Sequence, residues 1–252
     1  MSKLAGMESS ATSVLRRAVE LDGTARLPEA LVCYQEGIQL LLDVLKATAD
    51  EAKKTRYRER IREYMDRAEE IKKHVQLEKE AGKYHEQIHI AAGSVGYSYD
   101  RLFRPYMDKT LAEVWVDDPY IRSKHQMMNF LRFCELLVKS DCQVQMIHLT
   151  TGEEEGPRLE EQQGRLRELR DSLNKYGVTL DVQYSSTLHD REIRFSNGWI
   201  IKIGRGLDIF KPTKSPFQIG FCDYDLRECH ETTVDIFHNK HLKTSMHGDV
   251  SS

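Results

Sequence analysis

Residues 185–210, SSTLHDREIRFSNGWIIKIGRGLDIF, decide how the second half of this 252-residue chain folds. Two short runs of alternating apolar residues, 192–195 and 199–203, flank the tripeptide Ser-Asn-Gly at 196–198. Asn-Gly between two such runs is the strongest short-range signal for a β-hairpin, because both residues tolerate the positive φ of a tight hairpin turn. We therefore predict a twisted β-hairpin at this point.

The segments before the hairpin alternate between strand and helix patterns. Residues 112–116, 144–149 and 178–184 are short apolar runs typical of strands, and 124–139 and 159–176 have helical periodicity. Alternation of this kind is typical of an α/β layer domain.

The first third of the chain is helical throughout. A first apolar face ends at Gly23, a second helical block begins near Pro28, and a third begins at about Asp50. Three amphipathic helices with short connections predict an all-α, antiparallel three-helix bundle. Residues 82–96, GKYHEQIHIAAGSVG, break the helical pattern and are predicted to form a linker or an extended arm. The sequence therefore predicts a multidomain chain with a bundle over 8–82, a linker over 83–96 and an α/β domain over 97–245.

Composition excludes several classes of protein. Charged residues make up 31% of the chain and hydrophobic residues 40%, which is typical of a folded domain and not of a disordered one. The sequence contains neither a long apolar run nor the hydrophobic core of a signal peptide, so any membrane contact is expected to be peripheral. Five scattered cysteines favour reduced thiols and a cytoplasmic location.

Positive charge is concentrated in and after the hairpin, although the net charge of the chain is −3. Residues 185–220 contain six Lys or Arg and three acids, which favours an anionic partner. The candidate phosphate-binding or lipid-binding side chains are His189, Arg191, Arg194, Lys202, Arg205, Lys211 and Lys214.

Part of this set resembles a half-motif of the phospholipase D superfamily, in which His-x-Lys is followed after four residues by Asp. His189 matches the histidine, but Arg191 stands at the lysine position and Ser196 at the acid position. Residues 204–206, Gly-Arg-Gly, replace the usual Gly-Ser turn. The resemblance implies a phospholipase D-like fold whose catalytic motif is degenerate, with His189 and Arg191 as remnants. Anion binding is the favoured function, and an active phosphodiesterase that uses His189 across a dimer is the alternative.

Other chemistries have little support in the sequence. The spacing of Cys222, Cys229, His230, His238 and His241 matches no standard zinc frame, so we expect neither a metal nor a cofactor. Basic residues also bind nucleic-acid phosphates, but no row of base-stacking aromatic residues accompanies them. We therefore expect no nucleic-acid partner.

The third helical block contains REYMDRAEEIK at residues 62–72, which resembles the end of a microtubule-interacting and trafficking (MIT) domain. The Ala-x3-Tyr-x3-Gly-Ile spacing from Ala30 to Ile38 also matches. The resemblance implies a groove between the second and third helices that binds C-terminal tails of ESCRT-III subunits. Met65 matches the position that receives the leucines of the tail, and Glu69 the position that pairs with its arginine. The implied groove residues are Met65, Asp66, Ala68, Glu69 and Lys72. The alternative is that Met65 only fills the core, as methionines at helical spacing usually do.

An MIT domain followed by a phospholipase D-like domain resembles one known two-domain architecture across essentially the whole chain. That resemblance implies an ESCRT-III-binding adaptor that dimerises through its second domain. It also implies peripheral binding to phosphoinositide-containing membranes, at late endosomes and at the midbody during cytokinetic abscission.

Overall fold

The computed structural model describes residues 3–82 and 84–239. The chain divides between Tyr84 and His85 into two compact units.

The first unit is a bundle of three helices, as predicted: α1 (Lys3–Gly23), α2 (Leu27–Ala47) and α3 (Glu51–Glu80). Asp50 begins α3 because its carboxylate accepts hydrogen bonds from the backbone N–H groups of Ala52 (2.9 Å) and Lys53 (3.2 Å). Pro28 lies in the first turn of α2, where a missing N–H costs nothing.

Small residues allow α1 and α2 to pack closely. A Cβ atom at Gly37 would lie 2.6 Å from the side chain of Leu15, so only glycine fits at this contact. The third helix is held partly by charge, because Arg67 donates two hydrogen bonds of 2.8 Å to the carboxylate of Asp22 near the end of α1. This bidentate pair holds the pKa of Asp22 below its usual value.

The second unit is a seven-stranded mixed sheet with helices. Its elements are β1 (His85–Ile90), α4 (Tyr99–Phe103), β2 (Glu113–Asp117), α5 (Lys124–Lys139), β3 (Met146–Thr151), α6 (Pro157–Asn174), β4 (Thr179–Tyr184), β5 (Glu192–Phe195), β6 (Trp199–Ile203) and β7 (Thr232–His238), with 3₁₀ turns at Arg104–Tyr106 and Tyr224–Leu226. The strand order is β1-β7-β6-β5-β2-β3-β4. Strands β2, β3 and β4 are parallel, and α5 and α6 form their crossover connections.

The predicted hairpin is confirmed. Strands β5 and β6 pair antiparallel with Ile193 opposite Ile201, and Gly198 in the turn has φ +103°. The bounds predicted for α5 are also confirmed.

Of the two alternatives for this segment, the linker over 83–96 is wrong for its central part, since residues 85–90 are extended, form β1 and pair antiparallel with β7. The reason is that β1 buries Glu86 together with Ile88 and Ile90, so its inward face is not apolar throughout. Tyr106 donates a 3.0 Å hydrogen bond to the Glu86 carboxylate, which makes this burial possible. Strand β7 was not predicted either, and positions 240–245 of the predicted domain lie outside the described residues.

The two faces of the sheet differ. One face is apolar and buried, through residues such as Val114, Ile147, Ile193, Ile201 and Val234. The other face is partly exposed and carries a row of side chains that are adjacent in the strand register: His85, Phe237, Ile200, Arg194, Trp115, His148 and Asp181. We call this row the open-face row.

Candidate functional site

The predicted groove residues form one stripe along α3. Met65, Asp66, Glu69 and Lys72 are exposed, and Ala68 is buried between them. Met65 is 52% exposed, so it does not fill the core, which α3 reaches instead through Ile61, Ala68 and Ile71. We call Met65, Asp66, Ala68, Glu69 and Lys72 the α3 stripe.

The chemistry of the α3 stripe suits a basic, amphipathic peptide. A thioether lies beside two carboxylates, and a helical peptide could pack leucines on the former and pair arginines with the latter. The Glu69 carboxylate and the Lys72 ammonium are 3.9 Å apart and each about two-thirds exposed, so this weak pair leaves Glu69 accessible.

Arg191, the residue at the lysine position of the half-motif, is engaged inside the second unit. Its Nη1 donates a 2.6 Å hydrogen bond to the carbonyl of Gly204, and its guanidinium lies 4.1 Å from the ring centroid of Tyr120. The adjacent Asp118 is buried and accepts hydrogen bonds from the N–H groups of Tyr120 (2.9 Å) and Leu207 (3.3 Å). Burial raises the pKa of Asp118.

Little space remains beside Arg191. The cavity that it lines with Asp118, Gly206 and neighbouring strand residues has a volume of about 10 Å³. That is about the smallest space that holds a single water molecule. Gly206 packs closely against Asp118, since a Cβ atom there would lie 1.9 Å from Oδ2 of Asp118.

Ser196 and Arg191 lie at opposite ends of β5. His189 is exposed and lies in the loop before β5. Ser196 follows the far end of β5, where its Oγ accepts hydrogen bonds from the N–H groups of Ala112 (3.0 Å) and Glu113 (3.1 Å). We call His189, Arg191 and residues 204–206 the half-site.

The remaining predicted cations lie in two other places. Arg194 and Lys202 lie on the partly exposed sheet face, where Arg194 pairs with Asp117 (2.8 Å) and Lys202 with Glu192 (3.2 Å). Lys211 lies 3.5 Å from Glu228. Lys214 is exposed and has no ion pair with the described residues. The seven predicted residues therefore do not form one phosphate site.

A polar cluster follows the half-site and was missed at the level of sequence. Asn129 donates a 3.1 Å hydrogen bond to the carboxylate of Asp208, and His125 lies 3.4 Å from the same group. Arg205 donates to the Asp208 carbonyl (3.0 Å). Burial and the nearby Arg205 lower the pKa of His230. Because Asn129 and His125 come from α5, no local pattern could associate them with Asp208.

Two further findings concern metals and membranes. Within the described residues, no three His, Cys, Asp or Glu side chains lie close enough together to hold a metal ion, and His241 lies beyond that part of the chain. None of the helices there is long and apolar enough to cross a bilayer.

Comparison with known proteins assigns both units. Residues 8–73 match the family model of the MIT (microtubule interacting and transport) domain. Residues 96–238 match a phospholipase D-like domain found at the C-terminus of MIT. MIT domain-containing protein 1 of Mus musculus is 57% identical over 235 residues, which cover 93% of this chain and 94% of that protein. The chain therefore belongs to the family of MIT domain-containing protein 1, with an N-terminal MIT bundle and a C-terminal phospholipase D-like domain.

Proposed function

We propose that this protein is an adaptor that binds C-terminal tails of ESCRT-III subunits through the α3 stripe and acidic, phosphoinositide-containing membranes through its phospholipase D-like domain. By its family resemblance it acts at late endosomal membranes and at the midbody in cytokinetic abscission.

One observation carries the tail-binding part of the proposal, namely the exposure of Met65. An apolar side chain that is half exposed on a helix, next to the carboxylates of Asp66 and Glu69, provides an apolar contact and a charged contact for one peptide helix. The MIT match over 8–73 includes this segment.

We further propose a homodimer that forms through the phospholipase D-like domain. The open-face row supports this, because it combines stacked rings with side chains of both charges. The rings of Trp115 and His148 stack with centroids 5.2 Å apart, and those of His85 and Phe237 with centroids 4.5 Å apart. Aromatic groups flanked by ion pairs are typical of interface cores and their rims. A dimer doubles each weak contact and so raises the overall affinity for a membrane that carries ESCRT-III.

The phosphodiesterase alternative is not part of the proposal. Arg191 donates to the Gly204 carbonyl and stacks on Tyr120, and the cavity beside it has room for about one water molecule. These contacts favour a structural role for Arg191.

The test of tail binding is a calorimetric titration. ESCRT-III C-terminal tail peptides are added to the full chain and, separately, to its Met65→Asp variant. We expect binding to weaken at least about tenfold, because the substitution replaces an apolar contact by a charge that must lose water on binding. Leu77→Asp is the matched control, since Leu77 is also on α3 and is 65% exposed.

Circular dichroism checks that both variants keep their helical content. Equal affinity of the Met65→Asp variant and the unchanged chain, or no binding to any tail, would contradict the proposed role of the α3 stripe. An equal loss in the Leu77→Asp variant would show a general effect of charge on α3.

A further inference from the structure

Residues 211–227 form a loop with an exposed apolar tip, which we call the apolar loop. Phe217 is 97% exposed and Ile219 78%, and Phe221 and Leu226 are 42% and 50% exposed. Single exposed apolar side chains are normal on protein surfaces, but several of them within ten residues of one loop are typical of an interaction site.

The apolar loop is held in shape by a buried arginine. Arg227 is 8% exposed, and its guanidinium donates hydrogen bonds to the carbonyls of Gly220, Lys211 (3.2 Å) and Phe221 (2.8 Å). Gly220 has φ +87°, and a Cβ atom there would lie 2.6 Å from the carbonyl oxygen of Leu226. The exposure of Phe217 is therefore a property of an organised turn.

The segment that forms the tip contains basic residues and no acid. Residues 209–222 contain Lys211 and Lys214 and neither Asp nor Glu. The nearest acids that follow are engaged at the base of the loop. Asp223 accepts a hydrogen bond from the N–H of Asp225 (2.9 Å), and Asp225 pairs with Arg101 (2.8 Å). An apolar tip flanked by lysines is complementary to a surface that is anionic outside and apolar beneath.

We propose that the apolar loop inserts Phe217 and Ile219 into the interfacial layer of an anionic bilayer while Lys214 contacts lipid phosphates. This inference deepens the proposed membrane function and rests on it. A bilayer fits better than a protein pocket, because the Phe217 side chain projects almost entirely into solvent and lipid accepts a projecting ring without a preformed cavity. Lysine suits mobile headgroups, since its flexible stem carries a compact charge with three donors.

The two contributions to membrane affinity, insertion of the apolar tip and attraction between lysines and phosphates, are predicted to depend differently on salt. Contacts between lysines and phosphates weaken as salt rises, whereas burial of Phe217 and Ile219 in lipid is not screened. The apolar loop would thus retain part of the membrane affinity at high ionic strength.

The experiment is co-sedimentation of the full chain with phosphatidylcholine vesicles that contain a phosphatidylinositol phosphate. The chain is compared with its Phe217→Ser/Ile219→Ser variant. Because the double variant lacks the two apolar side chains that the bilayer would bury, we expect its binding to vesicles to be between about tenfold and a hundredfold weaker. Tyr176→Ser is the matched control, since Tyr176 lies in the same domain and is 67% exposed.

A second readout reports the position of the loop directly. In a Phe217→Trp variant, vesicles should shift the added emission to shorter wavelength, and brominated lipids should quench it more than they quench the two native tryptophans.

Three outcomes would overturn the insertion. If the unchanged chain binds vesicles and the double variant binds equally well, the loop does not insert, although the membrane function stands. If the added emission of the Phe217→Trp variant stays unquenched on bound vesicles, the loop again does not insert, although the membrane function stands. The exposed tip would then bind a protein partner instead. If the unchanged chain binds no vesicles, both the insertion and the proposed membrane function fail.

Discussion

The half-site and the apolar loop belong to the same domain, and in each an arginine donates to backbone carbonyls, but only the loop adds an exposed lysine and an exposed apolar tip. At the half-site, the half-buried Arg191 donates to the Gly204 carbonyl and stacks on Tyr120. In the apolar loop, one buried cation, Arg227, organises the backbone, and another cation, Lys214, remains exposed. The half-motif at His189 and Arg191 thus marks the place where a catalytic site is expected. The surface that is exposed for binding is the apolar loop, which follows the half-motif in the chain. Three predictions test this contrast.

The largest effect is expected from Gly206→Ala, which tests whether the half-site is closed. Its Cβ would meet the Asp118 carboxylate at 1.9 Å, and φ at this position is +59°. We expect the second domain to lose about 3 kcal/mol of its free energy of unfolding. Denaturation followed by tryptophan fluorescence measures this domain alone, because Trp115 and Trp199 both lie in it.

The matched control for Gly206→Ala is Gly164→Ala in α6. No atom lies within 4 Å of the added methyl group there, and helix propensity predicts a gain of up to about 1 kcal/mol. Wild-type stability in Gly206→Ala would mean that the half-site can open, which would weaken the contrast with the loop.

An intermediate effect is expected from Arg227→Met, which tests whether one guanidinium holds the apolar loop. Loss of hydrogen bonds to three carbonyls should cost about 2 kcal/mol and speed proteolytic cleavage within residues 211–227. Limited proteolysis with mass spectrometry locates the cleavage. Arg158→Met, an exposed position in the first turn of α6, should change neither property. Unchanged cleavage in Arg227→Met would show that other contacts shape the loop.

The smallest effect concerns His230, which lies near Arg205, Asp208 and Lys211 between the two regions. Because burial and Arg205 lower its pKa from 6.5, the unfolded chain takes up the proton more readily. The contribution of His230 to stability is therefore retained above about pH 6.5 and decreases as the pH falls below it. The free energy of unfolding is measured by denaturation at about pH 7.5 and at about pH 5.5. Between these two pH values it should decrease less for His230→Gln than for the unchanged chain. If the free energy of unfolding decreased equally in both chains, the neighbouring charges would offset the cost of protonating His230.

Much of the fold was predictable because the deciding signals are local. Helical periodicity, the capping residue Asp50 and the Asn-Gly turn at 197–198 each act within a few residues. Strands β1 and β7 were missed because their pairing joins distant segments and because the inward face of β1 includes Glu86.

The candidate site was predictable only in part, for a related reason. The helical periodicity of α3 predicts which side chains face the core, namely those in line with Ile61 and Ile71. Met65 lies beside this line, so its exposure could be predicted from the sequence. The engagement of Arg191 depends on Tyr120 and Asp118, about seventy residues earlier, and on a cavity that no spacing rule describes. Phe217 and Ile219 would be read as core residues from their type alone, so only the structure shows their exposure.

The pairing of β1 with β7 has a consequence for synthesis of the protein. His85 and Asp235, whose side chains meet across this pair, are 150 residues apart in the chain. The MIT bundle can fold as soon as it leaves the ribosome, but β1 must wait until nearly the entire second domain has been made. During that interval β1 lacks its partner, and such unpaired edges favour aggregation. An expression fragment that starts at residue 96, the beginning of the family match, would lack β1 and leave β7 as the new edge. A fragment that begins before His85 retains the complete sheet.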